Sequence, residues 1–262
     1  MAVPPKRPPR VMRVCAKTWV TPHMIRVTCV ADWIAPLGEG IEGAHFKLFL
    51  PRPDQSEADF STQLATGPRP DMRTYTIRHI RPQKGEIDID FVDHGDTGPA
   101  SAWARRCRVG DVAGFAGPGP IKLAHFHADT YVIAADMSAL PVAAATLNAM
   151  PRDAKGVAFF EVLSLDDRQE LQAPEGVEVH WILHTDPAQP ATQSVDLIAA
   201  LPEFDGSVQT CIAGESSMIK ALRREIINRR GVPKADAYIS GYWKIGLIED
   251  EHQEMKRAEA AA

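Results

Sequence analysis

Arg73-Thr74-Tyr75-Thr76-Ile77-Arg78 sets two guanidinium groups, an aromatic ring and threonine hydroxyls at alternating positions of one short strand. Side chains alternate between faces along a strand, so Arg73, Tyr75 and Ile77 point one way and Thr74, Thr76 and Arg78 the other. Guanidinium offers a planar fork that matches phosphate oxygens, a tyrosine ring can stack on a flat ring system, and a threonine hydroxyl can bond a ring edge. A flat, anionic, phosphate-bearing ligand meets all three, and flavin is the expected one. On the hexapeptide alone, an ordinary edge strand with a solvated charged face competes with that reading.

The next strand, over residues 86–92, alternates polar and apolar side chains and runs through Asp90, Phe91 and Val92 into Asp93-His94-Gly95-Asp96-Thr97-Gly98-Pro99-Ala100-Ser101-Ala102-Trp103-Ala104. A glycine-containing loop that opens a helix leaves backbone N–H groups and the positive dipole end facing outward, which suits a pyrophosphate. Pro99 tolerates the missing donor of a first helical turn, and Ser101 adds a hydroxyl. His94 stands beside this loop, either packing on the nucleotide or making a structural hydrogen bond.

Working outward, short strands over 24–30, 45–50, 73–79, 86–92 and 111–116, with one helix over 100–106, predict an antiparallel β-barrel domain spanning 11–124. The polar, proline-rich run 52–71 reads as a surface loop. From residue 127 strands alternate with helices: strands 131–135, 156–163, 177–184, 208–213 and 237–240, helices 139–150, 195–201 and 217–230. That alternation predicts a parallel-sheet, Rossmann-like α/β domain over 125–262, with the hinge at 121–128, so the fold class is two-domain α+β. Residues 1–10 read as a disordered basic arm, and the charged, alanine-rich end 248–262 as a helix.

Composition is permissive. With 262 residues and 45% hydrophobic content the chain can bury cores for two modest domains. Cys15, Cys29, Cys107 and Cys211 are widely spaced, with no Cys-x-x-Cys pair for zinc or an iron–sulfur cluster, and fit buried thiols in a reducing compartment. No apolar run approaches the roughly 20 residues of a spanning helix, and no signal-peptide core follows the N-terminal arm. A cytoplasmic monomer is expected, without membrane insertion and, at a formal net charge of −5, without a nucleic-acid partner.

Taken together, the motifs resemble the siderophore-interacting proteins, flavin-dependent ferric-siderophore reductases of the ferredoxin-reductase-like group. The resemblance runs in order through 73–78, 90–95, 98–104, Gly110-Asp111, Gly117-Pro118, 135–141, 213–216 and Gly241-Tyr242-Trp243-Lys244, covering residues 11–246. It implies FAD held by Arg73, Tyr75, Thr76, Arg78, Asp90, Phe91, Val92, His94, Gly98, Pro99, Ala100, Ser101 and Trp103. It further implies NADH or NADPH at Asp136, Ser138, Ala139, Gly214, Glu215 and Ser216, where small residues stand at strand-to-helix junctions. The family usually has Glu-Thr where this chain has Met137-Ser138, and no Gly-x-Gly-x-x-Gly is present, so the choice of nucleotide stays open. Asp166, Asp167 and Arg168 could oppose or attract a ribose phosphate.

Nicotinamide gives up two electrons at once and ferric iron accepts one, so a flavin between them explains the pairing of sites. Siderophore oxygens hold Fe(III) better than Fe(II), and reduction releases the iron. Ferric siderophores are often anionic, and the resemblance points to Lys47, Lys244 and one of Arg229 or Arg230, here Arg230, as docking cations. Trp243 either covers the flavin ring or is a buried interdomain tryptophan. The competing functions are an NAD(P)H:flavin reductase, an oxygenase-partner reductase and a non-enzymatic siderophore carrier.

Overall fold

A computed structural model describes residues 8–247 and residue 255, and its chain divides into two units, Met1–Ile121 and Lys122–Ala262. The first unit contains β1 (Arg10–Thr21), β2 (Met24–Val30), β3 (His45–Leu50), α1 (Glu57–Thr66), β4 (Asp71–Thr76), β5 (His79–Arg81), β6 (Glu86–Val92), α2 (Pro99–Arg106) and β7 (Val112–Ala116). Its seven strands are hydrogen-bonded in the order β4-β3-β7-β1-β2-β6-β5, all antiparallel. Alternation fills one face: Ile87, Ile89 and Phe91 of β6 meet Phe46 and Leu48 of β3 and Phe115 of β7 in a fully buried core.

The single strand expected over 73–79 is two strands. β4 pairs with β3, β5 pairs with β6, and Ile77 and Arg78 carry the chain from one to the other. The Ile77 N–H still donates to Ala44 O beside β3, whereas the Arg78 N–H already donates to Asp88 O of β6. β4 and β5 are the two ends of the sheet order, yet Thr76 and His79 are three Cα steps apart, at most about 11 Å. The sheet therefore curls until its edges meet, and the two-residue bridge makes it a barrel.

The run 52–71 is not all loop. Ser56 caps α1 by accepting from the Asp59 N–H, and Phe60 sinks fully buried beside Phe49 and Val112 on the outer face of the sheet. The basic arm also ends earlier than expected, because Arg10 already pairs with Phe115 in β1; its remaining residues 1–7 lie outside the described residues, as does the C-terminal helix expectation apart from Met255.

On the barrel's outer face β2, β5 and β6 carry a charge network. Arg26 binds Asp90 through two bonds of 2.6 and 2.8 Å, and Arg81 binds Asp88 through two of 2.8 and 2.6 Å. His79 Nδ1 lies 3.1 Å from Asp88 Oδ2, and Thr28 donates to Asp88 Oδ1 at 2.8 Å. Burial by itself raises the Asp88 carboxyl, but the donors Arg81, His79 and Thr28 outweigh it and hold the group well below the usual carboxylate range.

The second unit contains β8 (Thr130–Ala135), α3 (Leu140–Ala149), β9 (Lys155–Val162), β10 (Gly176–Leu183), α4 (Gln193–Ala199), β11 (Val208–Glu215), α5 (Ser216–Arg223) and β12 (Ala237–Trp243). The five strands are parallel in the order β10-β9-β8-β11-β12. Successive residues of β8 serve opposite layers: Ile133 and Ala135 pack with α3, Val132 and Ala134 with α4 and α5. Such runs of apolar residues are what a parallel sheet covered on both faces requires. Among the described residues no helix is long and apolar enough to cross a membrane.

The helix expected over 217–230 is regular only to Arg223 and continues as a π-helix over Arg224–Arg229. Beyond it, Arg230 has no exposed side-chain surface. Its guanidinium donates to Glu225 Oε1 at 2.8 Å and to the carbonyls of Ile198, Leu201 and Pro202 at 3.0, 2.7 and 2.8 Å, and lies over the Phe204 ring. It caps the end of α4, where unsatisfied carbonyls and the negative dipole end call for a cation. A fully buried group cannot dock a substrate, so the docking role expected of Arg230 is corrected to a structural one. Its neighbour Arg229 is half-exposed and ion-paired with Glu203 at 3.0 Å and with Glu225.

Two outcomes are expected. Arg230→Ala leaves the carbonyls of Ile198, Leu201 and Pro202 without this donor and lowers unfolding free energy by about 3 kcal/mol in urea titration; a loss below about 0.5 kcal/mol would contradict the capping role. For Asp88, the folded-state pKa lies below the unfolded one, so its contribution is complete above about pH 4 and lost as pH falls through the folded value. Acid unfolding of the wild type should be steeper than that of Asp88→Asn, and superimposable profiles would remove Asp88 from the acid response.

Candidate functional site

The barrel's site begins with the β3–β4 register, in which Arg73 stands opposite Leu48 and Tyr75 opposite Phe46. Arg73 and Tyr75 therefore share a face, with Thr74 turned the other way to accept from Lys47 Nζ at 2.6 Å. The Tyr75 ring lies 4.5 Å from Phe91 at 41°, and Phe91 lies 5.7 Å from Trp103 at 45°. This row of three rings ties β4 to β6 and β6 to α2. Phe91, in the middle, is fully buried, so its side chain supports the outer two rings and does not itself face a ligand.

α2 starts at Pro99 with Gly98 as its cap, and no side chain closes the first turn. The preceding loop is held from within. Ser101 Oγ donates to Gly95 O at 2.8 Å and accepts from the His94 N–H at 3.2 Å, and Asp93 Oδ1 accepts from the Gly95 N–H at 3.0 Å. Burial opposes ionisation of Asp93, but the Gly95 N–H, Arg105 and Ser101 hold its carboxyl below the ordinary value. The His94 ring covers Gly98 so closely that a Cβ there would sit 2.7 Å from Cε1, so a larger residue at 98 would displace the ring. His94 and Ser101 thus shape the loop, and Ser101, buried and doubly bonded, has a fastening role where a ligand contact was expected. Asp93 and Arg105 escaped the sequence reading of this site; Asp93-His94-Gly95, an aspartate two residues before a glycine, was the available signal.

Other expected flavin residues sit deeper. Thr76 and Ala100 are buried, and Val92 is half-buried opposite Met24. Arg78 belongs to the outer charge network: Nη1 donates to His79 Nε2 at 3.0 Å and Nε lies 3.8 Å from Asp90 Oδ2, while burial lowers its pKa. Asp90 is filled by Arg26 and Arg78. Asp90 thereby helps to fix the bridge between β4 and β5, whereas Arg78 Nε is buried without a hydrogen-bond partner among the described residues. The candidate ligand groups are Arg73, whose Nη1 also donates to Met72 O at 2.9 Å, Arg78, the Tyr75 and Trp103 rings, and the open first turn of α2. A cation, flat rings and uncapped N–H groups are the donor set a flavin nucleotide requires, so the residues fit FAD.

The second unit's site lies where the order reverses between β8 and β11, the position at which ligands meet open α/β sheets. Asp136 ends β8 and accepts from the Ser138 N–H at 2.9 Å, the Ala139 N–H at 3.2 Å, Ser138 Oγ and Trp243 Nε1, the last at 2.7 Å. Burial raises its pKa against these donors. A Cβ on Gly214, φ 150°, would come within 2.7 Å of Asp136 Oδ2, so glycine admits the carboxylate. Glu215 caps α5 by accepting from the Ser217 and Met218 N–H groups at 2.6 and 3.2 Å, and Ser216 Oγ donates to Trp243 O at 2.8 Å. Asp136, Ser138, Ala139, Gly214, Glu215, Ser216 and Trp243 are thus brought together at one end of the sheet, with Trp243 anchored to Asp136 and Lys244 beyond it donating to Met255 Sδ at 3.1 Å.

Residues 128–246 match the family model described as siderophore-interacting protein, and residues 13–121 the one described as siderophore-interacting FAD-binding domain. Ferric vibriobactin reductase ViuB of Vibrio cholerae is 31% identical over 95% of this chain and 94% of its own length. The crystal structure of siderophore-interacting protein SipS from Aeromonas hydrophila superposes with a TM-score of 0.83 at 31% identity, covering 97% of this chain and 98% of that one. The ferredoxin reductase of carbazole 1,9a-dioxygenase shares the fold, with a TM-score of 0.63 at 18% identity over 90% of this chain and 67% of that one. An antiparallel barrel with an open helix start beside Arg73 and Tyr75, a doubly covered parallel sheet, and family matches over both units lead to one conclusion: this chain belongs to the siderophore-interacting protein family.

Proposed function

We propose that the protein is a ferric-siderophore reductase that holds FAD on its barrel, takes electrons from a nicotinamide nucleotide at its parallel sheet and delivers them to an Fe(III) chelate. The observation that carries this reading is the α2 start, uncapped by any side chain, on the same barrel as Arg73 and Tyr75. Likeness to a protein named ferric vibriobactin reductase supports the choice of acceptor. Bound flavin supplies the exchange between hydride and single-electron chemistry. The chain's own residues do the holding: Arg73 and the α2 N–H groups meet the phosphates, Tyr75 and Trp103 flank the flat rings, and Phe91 sets their spacing. Asp136, Gly214 and Ser216 shape the nucleotide end of the sheet. Lys47 and Lys244 are the docking cations, each a source of local positive potential in a chain of net charge −5. The proposed setting is the cytoplasm, and the acting form a monomer.

The decisive experiment is anaerobic reduction of a panel of ferric siderophores by the purified protein with each nicotinamide, read with an Fe(II) trap. Flavin reduction without Fe(II) would leave a flavin or oxygenase-partner reductase in its place. Arg73→Ala should lower FAD affinity by roughly 10- to 150-fold, the worth of one charge-assisted contact of about 1.5–3 kcal/mol, read as cofactor content and by fluorescence titration. Unchanged FAD content would remove Arg73 from the site. Lys47→Ala should raise KM for an anionic ferric chelate by about threefold at low ionic strength, converging on wild type in high salt. Equal KM values at low salt would exclude Lys47 as a docking group.

A further inference from the structure

A cavity of about 180 Å3 opens at the carboxyl ends of β9 and β10, lined by Glu161, His184, Thr192 and Gln193 and backed by Ile182 and Pro190. At about 30 Å3 of liquid volume per water it has room for a sugar ring, not for a whole dinucleotide. No lysine or arginine lines it, and Glu161 is its one carboxylate. Glu161 is 4% exposed; Ser194 Oγ of α4 donates to Oε1, and among the described residues no donor reaches Oε2. A carboxylate at the wall of a polar cavity can accept further hydrogen bonds from whatever enters it. His184 Nε2 donates to Gln189 O, which can only accept, at 3.1 Å.

β9 is the neighbour of β8 on the side away from β11, and in doubly wound sheets an acid at this distance from the phosphate-binding turn reads ribose hydroxyls, whereas a nearby arginine receives a 2′-phosphate. Resting on the nucleotide reading above, we propose that this cavity receives the adenosine-side ribose, with Glu161 accepting from its hydroxyls, and that the site thereby selects NADH over NADPH. A 2′-phosphate brought to the same place would face a carboxylate with no lysine or arginine among the lining groups to offset it. Burial, reinforced by Asp136 and Glu215, pushes the Glu161 carboxyl up to about 7, with Ser194 and His184 acting the other way, so at pH 8 it is largely ionised. None of the residues identified by the sequence for this choice, Asp166, Asp167 or Arg168, lines the cavity.

The test is calorimetric binding of NAD+ and NADP+ to the FAD-loaded protein at pH 8, beside flavin reduction by NADH and NADPH. NAD+ should bind at least about tenfold more tightly, the scale of a like-charge penalty. Glu161→Gln should shrink that ratio by about tenfold with its melting temperature retained. If Glu161→Gln does not fold, Thr192→Arg carries the test, because a cation in the cavity should raise NADP+ affinity selectively. NADP+ binding as tightly as NAD+ to the wild type, or a ratio unmoved by either variant, would overturn the selectivity while leaving the reductase intact. Failure of both nucleotides to bind and to reduce the flavin would instead bring down the nicotinamide reading together with this inference.

Discussion

Two residues, Ile77 and Arg78, connect the edges of a seven-stranded sheet, and the barrel's site depends on that short span. Backbone pairing on either side holds it: Ile77 stays bonded to Ala44 and Arg78 to Asp88, so the chain changes partners within one peptide step. Ile77 is buried in the core, and the Arg78 guanidinium is gripped outside by His79 and Asp90. With that span fixed, Arg73 and Tyr75 are delivered at the end of β4, and Phe91 of β6 is brought beside Tyr75. The outer network of Arg26, Arg81, Asp88 and Asp90 has a corresponding purpose. It satisfies buried charges in pairs, each broken pair leaving a desolvated partner, and so resists any sliding of β5 against β6.

The strands were legible because alternation is a local property. The expected bounds 24–30, 45–50 and 86–92 coincide with β2, β3 and β6, where every second residue enters the core. The parallel sheet was legible from its spacing of apolar runs and helical segments. The partner change at Ile77–Arg78 was not, since nothing within the hexapeptide states that its first half will pair with β3 and its second with β6. Helix α1 was hidden by the proline-rich composition around it, although Ser56 followed by Asp59 carried a capping signal and Phe60 an apolar anchor.

Site residues show the same division between chemistry and placement. Residue type and order sufficed to gather Arg73, Tyr75 and the Gly98 loop into one reading and the strand ends of the second unit into another. They could not say which polar groups the protein keeps for itself. Ser101 and Asp90 look identical in sequence to ligand-binding groups, yet their bonds are made within the barrel. Arg230 is the plainest case: a cation followed by glycine suggests an exposed turn, but the carbonyls at the end of α4, some thirty residues earlier in the chain, draw it inside. Glu161 went unnoticed for the opposite reason, as one acid after the apolar run Val157-Ala158-Phe159-Phe160.

The bond from Trp243 Nε1 to Asp136 joins the last strand of the second unit to the turn after its first. Asp136 is therefore translated long before its indole partner exists. Until residue 243 has left the ribosome, the nascent chain holds a carboxylate with three of its four donors. That end of the sheet is consequently completed only once β12 has been made, and a chain cut short before β12 would carry the Asp136 turn without its indole donor.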